Sequence, residues 1–340
     1  MRIKFLLALF LSLIFTIALI YSTFEIPRIA NYILLIINPD KVVAVEQYGI
    51  ISNWEAIEVS INALRPIGYA SLIITIILIA LGFSSKWRPI SILGSLTLYL
   101  PVFGYFAFTM FFLAGIGILR LLWLPLFDIS PYTLELGSIT FLPYRILDYI
   151  LAHTLNAIYG DSTFTSNVLH KMHLILTLTI MGMGILVFLL GALTWFYSRY
   201  EGLNFANIWI YKYLRHPQYL GVLLWSYSLL LLSTILPIRK DGYVPPPSLP
   251  WLILVLLLIG LSLIEEIDMS KKFGKYYDQY RKKTSFMVPL PKKFSHLLSA
   301  PARFFIKKNY PQNRKEVLFI VSFYAIFFIL LSIPLIIWKI

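Results

Sequence analysis

No cysteine occurs in this chain of 340 residues. Disulfides, thiolate catalysis and cysteine-held metal or iron–sulfur centres are excluded by that absence. Charge is scarce as well: charged residues make up 13% of the chain, against about 25% in soluble domains. Neither a Gly-x-Gly-x-x-Gly nor a Walker pattern is present, which argues against a soluble Rossmann-type enzyme or an ATPase. Apolar residues fill the space instead, at 59% of the chain, and they are gathered into runs of bilayer length.

A bilayer core about 30 Å thick needs about 20 apolar residues of helix. The runs 3–22, 66–84, 90–119, 173–197, 217–237, 250–268 and 317–338 meet or approach that length. The expected fold is all-α, a polytopic transmembrane bundle of about seven spans. Pro101, Gly104, Gly115 and Gly117 would equally well divide the third run into a span and a re-entrant piece. The first run follows Met1-Arg2 but lacks a small-x-small cleavage pattern and exceeds a signal core in length, so it reads as a retained span.

The net charge of +13 is unevenly placed: thirteen of the 29 basic residues fall between Lys271 and Lys315. That distribution points to positive-inside anchoring beside anionic lipid headgroups rather than to nucleic acid. Arg2 and Lys4, Lys86 and Arg88, Arg199 to Arg215 and the 271–315 segment alternate with loops at 23–65, 128–170 and 238–249. The alternation sets the N-terminus in the cytoplasm and the C-terminus outside. Within the second of these loops, the aromatic and leucine-rich stretch Phe141 to Tyr159 reads as an interfacial helix. Pro245-Pro-Pro-Ser-Leu-Pro250 reads as a stiff connector. Three regions follow: 1–170, N-terminal spans with external loops; 171–295, a second membrane region; and 296–340, a basic segment with a last span.

Two polar blocks interrupt the apolar pattern. The first is Tyr211-Lys-Tyr-Leu-Arg-His-Pro-Gln-Tyr-Leu-Gly221. Pro217 suits the first turn of a helix, where its missing N–H costs nothing. The N–H groups of Gln218, Tyr219 and Leu220 would then form an anion site with the helix dipole, beside Arg215 and His216. Gly221 leaves room for a ligand or for another backbone. Taken singly, Arg215 is an ordinary interfacial arginine and His216 an ordinary cap.

The second block is Ile264-Glu-Glu-Ile-Asp-Met-Ser-Lys-Lys-Phe-Gly-Lys-Tyr-Tyr-Asp-Gln-Tyr280. The apolar run before it, Trp251 to Ile264, has 14 residues, about 21 Å of helix, and stops short of a bilayer core. Glu265 and Glu266 therefore stand at or just inside the membrane boundary, where ionisable groups are candidates for function. On an unbroken helix, Phe273, Tyr276, Tyr277 and Tyr280 form one stripe, and Lys271, Lys275, Asp278 and Lys282 the opposite one. Two carboxylates flanking phenols make a face that attracts a cation. An amphipathic helix lying on the bilayer would explain the lysines, but not the paired acids.

Together the two blocks resemble the signature of integral membrane methyltransferases related to isoprenylcysteine carboxyl methyltransferase and the phospholipid N-methyltransferases. The resemblance covers roughly Lys171 to Pro291. It implies S-adenosyl-L-methionine as cofactor, a lipophilic acceptor, and a pocket at the cytoplasmic membrane face built by the C-terminal half. Carried over by position, Arg215, His216, Pro217, Tyr219 and Gly221 match the first motif. Glu265, Glu266, Phe273, Gly274, Tyr277 and Tyr280 match the second, which is followed by Val288-Pro289. The cofactor set this implies is His216, Pro217, Gln218, Tyr219, Leu220, Gly221, Glu265, Glu266, Tyr277 and Tyr280, with Arg215, Glu265 and Glu266 as catalytic candidates. Three features depart from the family pattern. Trp209-Ile210 stands where Gly-Pro is common, the interval from Tyr280 to Val288-Pro289 is a few residues longer, and a further span follows.

His170-Lys-Met-His173 has one-turn spacing, but two ligands without a third give no expectation of a metal. Two other readings stand beside the methyltransferase. NADPH-dependent sterol and steroid reductases carry a similar Arg-His-Pro-x-Tyr-x-Gly and a similar Phe/Tyr-Gly-x-x-Tyr ending, and a non-catalytic lipid transporter or scaffold would hold a degenerate pocket. The methyl acceptor remains open among a prenylcysteine carboxylate, a lipid amine and an isoprenoid.

Overall fold

Apolar residues at bilayer length leave the backbone one inexpensive way to satisfy its own N–H and C=O groups, which is the helix. The computed structural model describes residues 2–37, helical positions between 66 and 81, and residues 130–160, 162–235 and 248–337. Its principal helices are α1 (Arg2–Ile37), α2 (Leu142–Tyr159), α3 (Ser162–Tyr200), α4 (Pro217–Ile235), α5 (Ser248–Phe273), α6 (Lys275–Lys283), α7 (Lys292–Ile306) and α8 (Arg314–Ile337). Among the described residues the one β pairing is a parallel bridge between Leu214 and Ser285.

Four helical stretches are long and apolar enough to cross a membrane: Arg2–Tyr21, Thr163–Tyr200, Ser248–Phe273 and Arg314–Ile337. Pro217–Leu232 is a shorter apolar helix. The chain is therefore an all-helical membrane protein. The expected run 90–119 lies outside the described residues, and only part of 66–84 lies inside them. Helices α1 and α3 outrun the expected spans. The 39 residues of α3 give roughly 58 Å of helix, so its N-terminal turns replace the end of the expected loop 128–170. The expected interfacial helix is present as α2, closed by Gly160 at φ 65°. Of the expected stiff connector, Ser248, Leu249 and Pro250 form the first turn of α5, and the remainder lies outside the described residues.

The core lies where α1, α3, α4 and α5 meet. Phe15 and Leu19 of α1 pack on Phe188 and Phe196 of α3, with Val222 and Trp225 of α4 and Leu254 and Leu258 of α5. The rings of Phe15 and Phe188 stack at 6.3 Å. Two buried hydroxyls turn back onto their own helices, Thr16 donating to the Ser12 carbonyl at 2.6 Å and Ser262 to that of Leu258 at 2.7 Å, so these two need no water.

Helices α3 and α4 approach through glycine. A Cβ built on Gly221 would lie 2.7 Å from the Phe188 nitrogen and 2.8 Å from the Gly184 oxygen. One on Gly184 would lie 2.6 Å from the Trp225 nitrogen. Small residues at such a crossing let two backbones touch, and dispersion between them holds membrane helices together.

One end of the bundle collects the polar blocks. Lys4 Nζ lies 3.4 Å from Glu201 Oε2, which puts the start of α1 beside the end of α3. Trp209 stacks on Tyr197 at 4.7 Å and meets Phe5 edge-on at 6.0 Å. Its φ is 46°, a left-handed conformation that glycine adopts without cost and tryptophan does not. The two ring contacts hold a tryptophan in a backbone conformation that favours glycine.

Candidate functional site

The site begins with a backbone clamp. Arg215 N–H donates to the Ser285 carbonyl at 3.0 Å and His216 N–H to that of Phe286 at 3.2 Å. Ser285 N–H donates in turn to the Tyr213 carbonyl at 3.2 Å. The segment after α6 thus runs beside the segment before α4 and fixes Arg215 and His216 against the end of α5. The interval between Tyr280 and Val288-Pro289 contains the pairing residues, Ser285 and Phe286.

Two side chains fifty positions from their partners then close the cluster. Arg215 Nη1 lies 2.8 Å from Glu266 Oε1, and both side chains are more than nine-tenths buried. His216 Nε2 lies 3.1 Å from the same oxygen, while Nδ1 faces Glu265 Oε2 at 3.7 Å. Tyr219 donates to Glu265 Oε1 at 2.5 Å. The neighbouring acids differ sharply: the Glu266 side chain is 3% exposed and that of Glu265 53%. Successive helix residues point about 100° apart, so Glu266 faces the bundle and Glu265 its rim. Neither Nε nor Nη1 of Arg215 finds an aligned hydrogen-bond acceptor among the described residues, despite the short approach of Nη1 to Glu266. The guanidinium also lies over the Phe286 ring, 5.4 Å from its centre.

Aromatic groups wall this cluster, but not on one continuous helix as expected. Gly274, at φ 52° and ψ −135°, ends α5 and starts α6 in a new direction. Few residues other than glycine tolerate that conformation. Phe273, Tyr276, Tyr277 and Tyr280 still converge, because Phe205 inserts among them at 5.2–5.5 Å between ring centres. Phe205 is buried. Nothing in its local sequence distinguished it from other loop aromatics. Tyr280 donates to the Tyr211 carbonyl at 2.7 Å, tying α6 to the first block. On the opposite side, Asp278 pairs with Arg281 at 2.8 Å.

Several expected roles change. The Leu220 N–H donates to the His216 carbonyl at 3.1 Å and is not available to an anion. Gln218 lies against Gly191 of α3, its nitrogen 3.2 Å from where a Cβ on that glycine would stand. Pro217 occupies the first position of α4 as expected, with its ring against the same glycine. Gly221 makes room for the backbone of α3, the second of the two uses expected for it. Of the three N–H groups expected to form an anion site at the start of α4, that of Leu220 is taken up within the helix, and the buried Arg215 stands beside the other two. Two open cavities of about 390 Å³ each lie at the turn between α7 and α8, one of them extending to α5 and α6, and neither is lined by Arg215, His216, Glu265 or Glu266. His173 of the His-x-x-His pair sits 3.2 Å from Asp148 on α2, with its ring against Tyr144. No group of three metal-ligating side chains occurs among the described residues.

Burial pushes the phenols of Tyr277 and Tyr280 well above the ordinary tyrosine range; the Glu266 charge adds to this and Arg215 opposes it. The fold therefore favours the neutral phenols. Their contribution is complete below about pH 10, where unfolded tyrosine titrates, and is lost as pH rises further. The double variant Tyr277→Phe, Tyr280→Phe is expected to flatten the fall of thermal stability between roughly pH 9.5 and 11. Melting curves in detergent across that range check this, and a slope equal to wild type refutes it.

Comparison with known protein families, characterised proteins and solved structures finds no match to this chain.

Proposed function

We propose that this membrane protein is an S-adenosylmethionine-dependent methyltransferase acting on a lipophilic acceptor, with its site at the cytoplasmic end of a bundle of about seven spans. The observation that carries this reading is the contact of the two motif blocks, Arg215 and His216 with Glu265 and Glu266. Basic and acidic groups side by side suit the zwitterionic end of the cofactor, and the surrounding phenols suit its cationic and aromatic parts.

The residues fit that group unequally. Arg215 has buried N–H groups without aligned acceptors, and a carboxylate would satisfy them. Glu265 is the accessible acid, oriented by Tyr219, and would take the ammonium or a proton from the acceptor. Glu266 holds Arg215 and His216 in place and acts as a positioning residue. The cofactor would supply a methyl group on a sulfonium. What the chain contributes is alignment and exclusion of water, the main demands of an in-line displacement. A carboxylate at the rim can also receive a proton lost by the acceptor.

Calorimetry on purified protein in detergent tests this. Saturable binding of S-adenosylmethionine or S-adenosylhomocysteine is expected, without binding of NADPH. Glu265→Gln should weaken that binding by roughly one to two orders of magnitude, as loss of a charged hydrogen bond would. Binding of NADPH with no response to either sulfur compound would replace this reading with the reductase. Silence toward all three would favour a transporter or scaffold. Labelled S-adenosylmethionine with total lipid extract would then identify the acceptor class.

A further inference from the structure

The two cavities meet at the turn between α7 and α8, sharing Lys308 and Asn309 as lining residues. One is lined by Lys271, Asp278, Arg281 and Tyr310, the other by Arg303, Phe304 and Lys307. Five cations line the two against one lining carboxylate; Asp278 pairs Arg281 and Glu316 pairs Lys308, which leaves a net positive lining.

The turn is held rigidly. Glu316 accepts from Lys308 at 2.8 Å, from the Gln312 N–H at 2.7 Å and from the Asn313 side chain at 3.0 Å. The Glu316 N–H donates back to Asn313 at 2.9 Å, a reciprocal cap on α8. Arg281 is set just as firmly. Its guanidinium lies 3.9 Å from the Tyr310 ring centre, and Nη2 pairs with Asp278 at 2.8 Å. Its side chain is 10% exposed, yet its Nε has no hydrogen-bond partner among the described residues. Arg281 lines one of the two cavities, and a guanidinium left short of acceptors favours a further oxygen there.

The setting identifies the source of that oxygen. Helix α8, long and apolar enough to span, starts at Arg314, directly after the turn. Helix α7 exposes Phe294, Leu297, Phe304 and Phe305 beside it, as a helix lying in the interface does. The cations therefore stand at headgroup depth, with apolar surface next to them. We propose that this double cavity binds the phosphate of an anionic membrane phospholipid, with its glycerol and acyl chains against Ala300 and Phe304. The site is separate from the Arg215–Glu266 cluster and does not depend on the reaction proposed there.

Native mass spectrometry and titration of the full chain in detergent test this with dioctanoyl phosphatidylglycerol, dioctanoyl phosphatidylcholine and inorganic phosphate. One phosphatidylglycerol should bind at least about tenfold more tightly than phosphatidylcholine, and inorganic phosphate more weakly than either. Arg281→Gln should lower the phosphatidylglycerol affinity about tenfold. Lys271→Gln, at an exposed position that does not endanger folding, should lower it severalfold. Lys282→Gln, exposed on the same helix as Arg281 but lining neither cavity, should leave it unchanged. Equal affinity for the two lipids, or an equal loss in Lys282→Gln, would reduce the site to diffuse surface charge and overturn the proposal. Inorganic phosphate binding as tightly as phosphatidylglycerol would overturn the lipid assignment.

Discussion

Glu266→Gln is expected to cost about 3–5 kcal/mol of stability, the usual penalty for leaving one partner of a buried ion pair alone. Arg215 would keep its charge in a site more than nine-tenths buried, and His216 would lose the carboxylate 3.1 Å from its Nε2. Glu265→Gln, one position away, should change stability by no more than about 1 kcal/mol, because an accessible carboxylate trades its partner for water. Thermal unfolding in detergent gives the comparison directly. The double variant Arg215→Met, Glu266→Met sharpens it: removing both charges together should recover much of the loss, since an apolar pair leaves nothing buried and unpaired. Equal melting temperatures for the two single Gln variants would mean that the pair contributes no more than a surface contact. The contrast also separates structure from chemistry, because the proposed ligand defect belongs mainly to Glu265 and the stability defect to Glu266.

Gly221→Ala should be as damaging as a much larger change would be at an ordinary helix position. Its added methyl would stand 2.7 Å from the Phe188 nitrogen and 2.8 Å from the Gly184 oxygen. Both are backbone atoms of α3 and cannot rotate away, so the helices must separate along the crossing. Overpacking of a closed core costs about 1–3 kcal/mol. Here the same movement also disturbs the start of α4, where Tyr219 holds Glu265. Gly184→Ala, facing the Trp225 nitrogen at 2.6 Å, should behave alike. Gly182→Ala is the control. Nothing lies within 4 Å of its added methyl, so alanine should be neutral or add up to about 1 kcal/mol through helix propensity. Size-exclusion thermostability profiles of the three variants distinguish them. Unimpaired folding of both Gly221→Ala and Gly184→Ala would refute the close crossing.

The broad architecture was legible because hydropathy acts locally. Runs of bilayer length force helices, and those of α1, α3, α5 and α8 lie where the apolar residues are. Pro217 marked the first residue of α4 because a residue without an N–H costs least there, although α7 and α8 also carry Pro301 and Pro334 in their interiors. The candidate residues were legible as types: a guanidinium, an imidazole and two carboxylates standing where apolar runs end are conspicuous in a chain with so little charge. Their roles were not. Leu220 was not a free donor even by numbering: with Pro217 first in α4, its N–H is the one that reaches back four residues to the His216 carbonyl. The aromatic stripe was drawn on an unbroken helix because Gly274 is tolerated in helices, and only its φ of 52° shows that it breaks this one.

Composition and periodicity by themselves determined that this protein lives in a membrane, that it is helical, and which polar residues are rare enough to matter. These are properties of each segment and its solvent. Tertiary structure alone decided that Glu266 is buried against Arg215 while Glu265 faces outward, that Phe205 gathers four aromatic residues from two helices, and that Gly221 faces a helix. Each of these depends on what a distant segment places opposite the residue. The pairing of Ser285 and Phe286 with Arg215 and His216 has no local signature at all. A backbone hydrogen bond is indifferent to the side chains of the residues that make it.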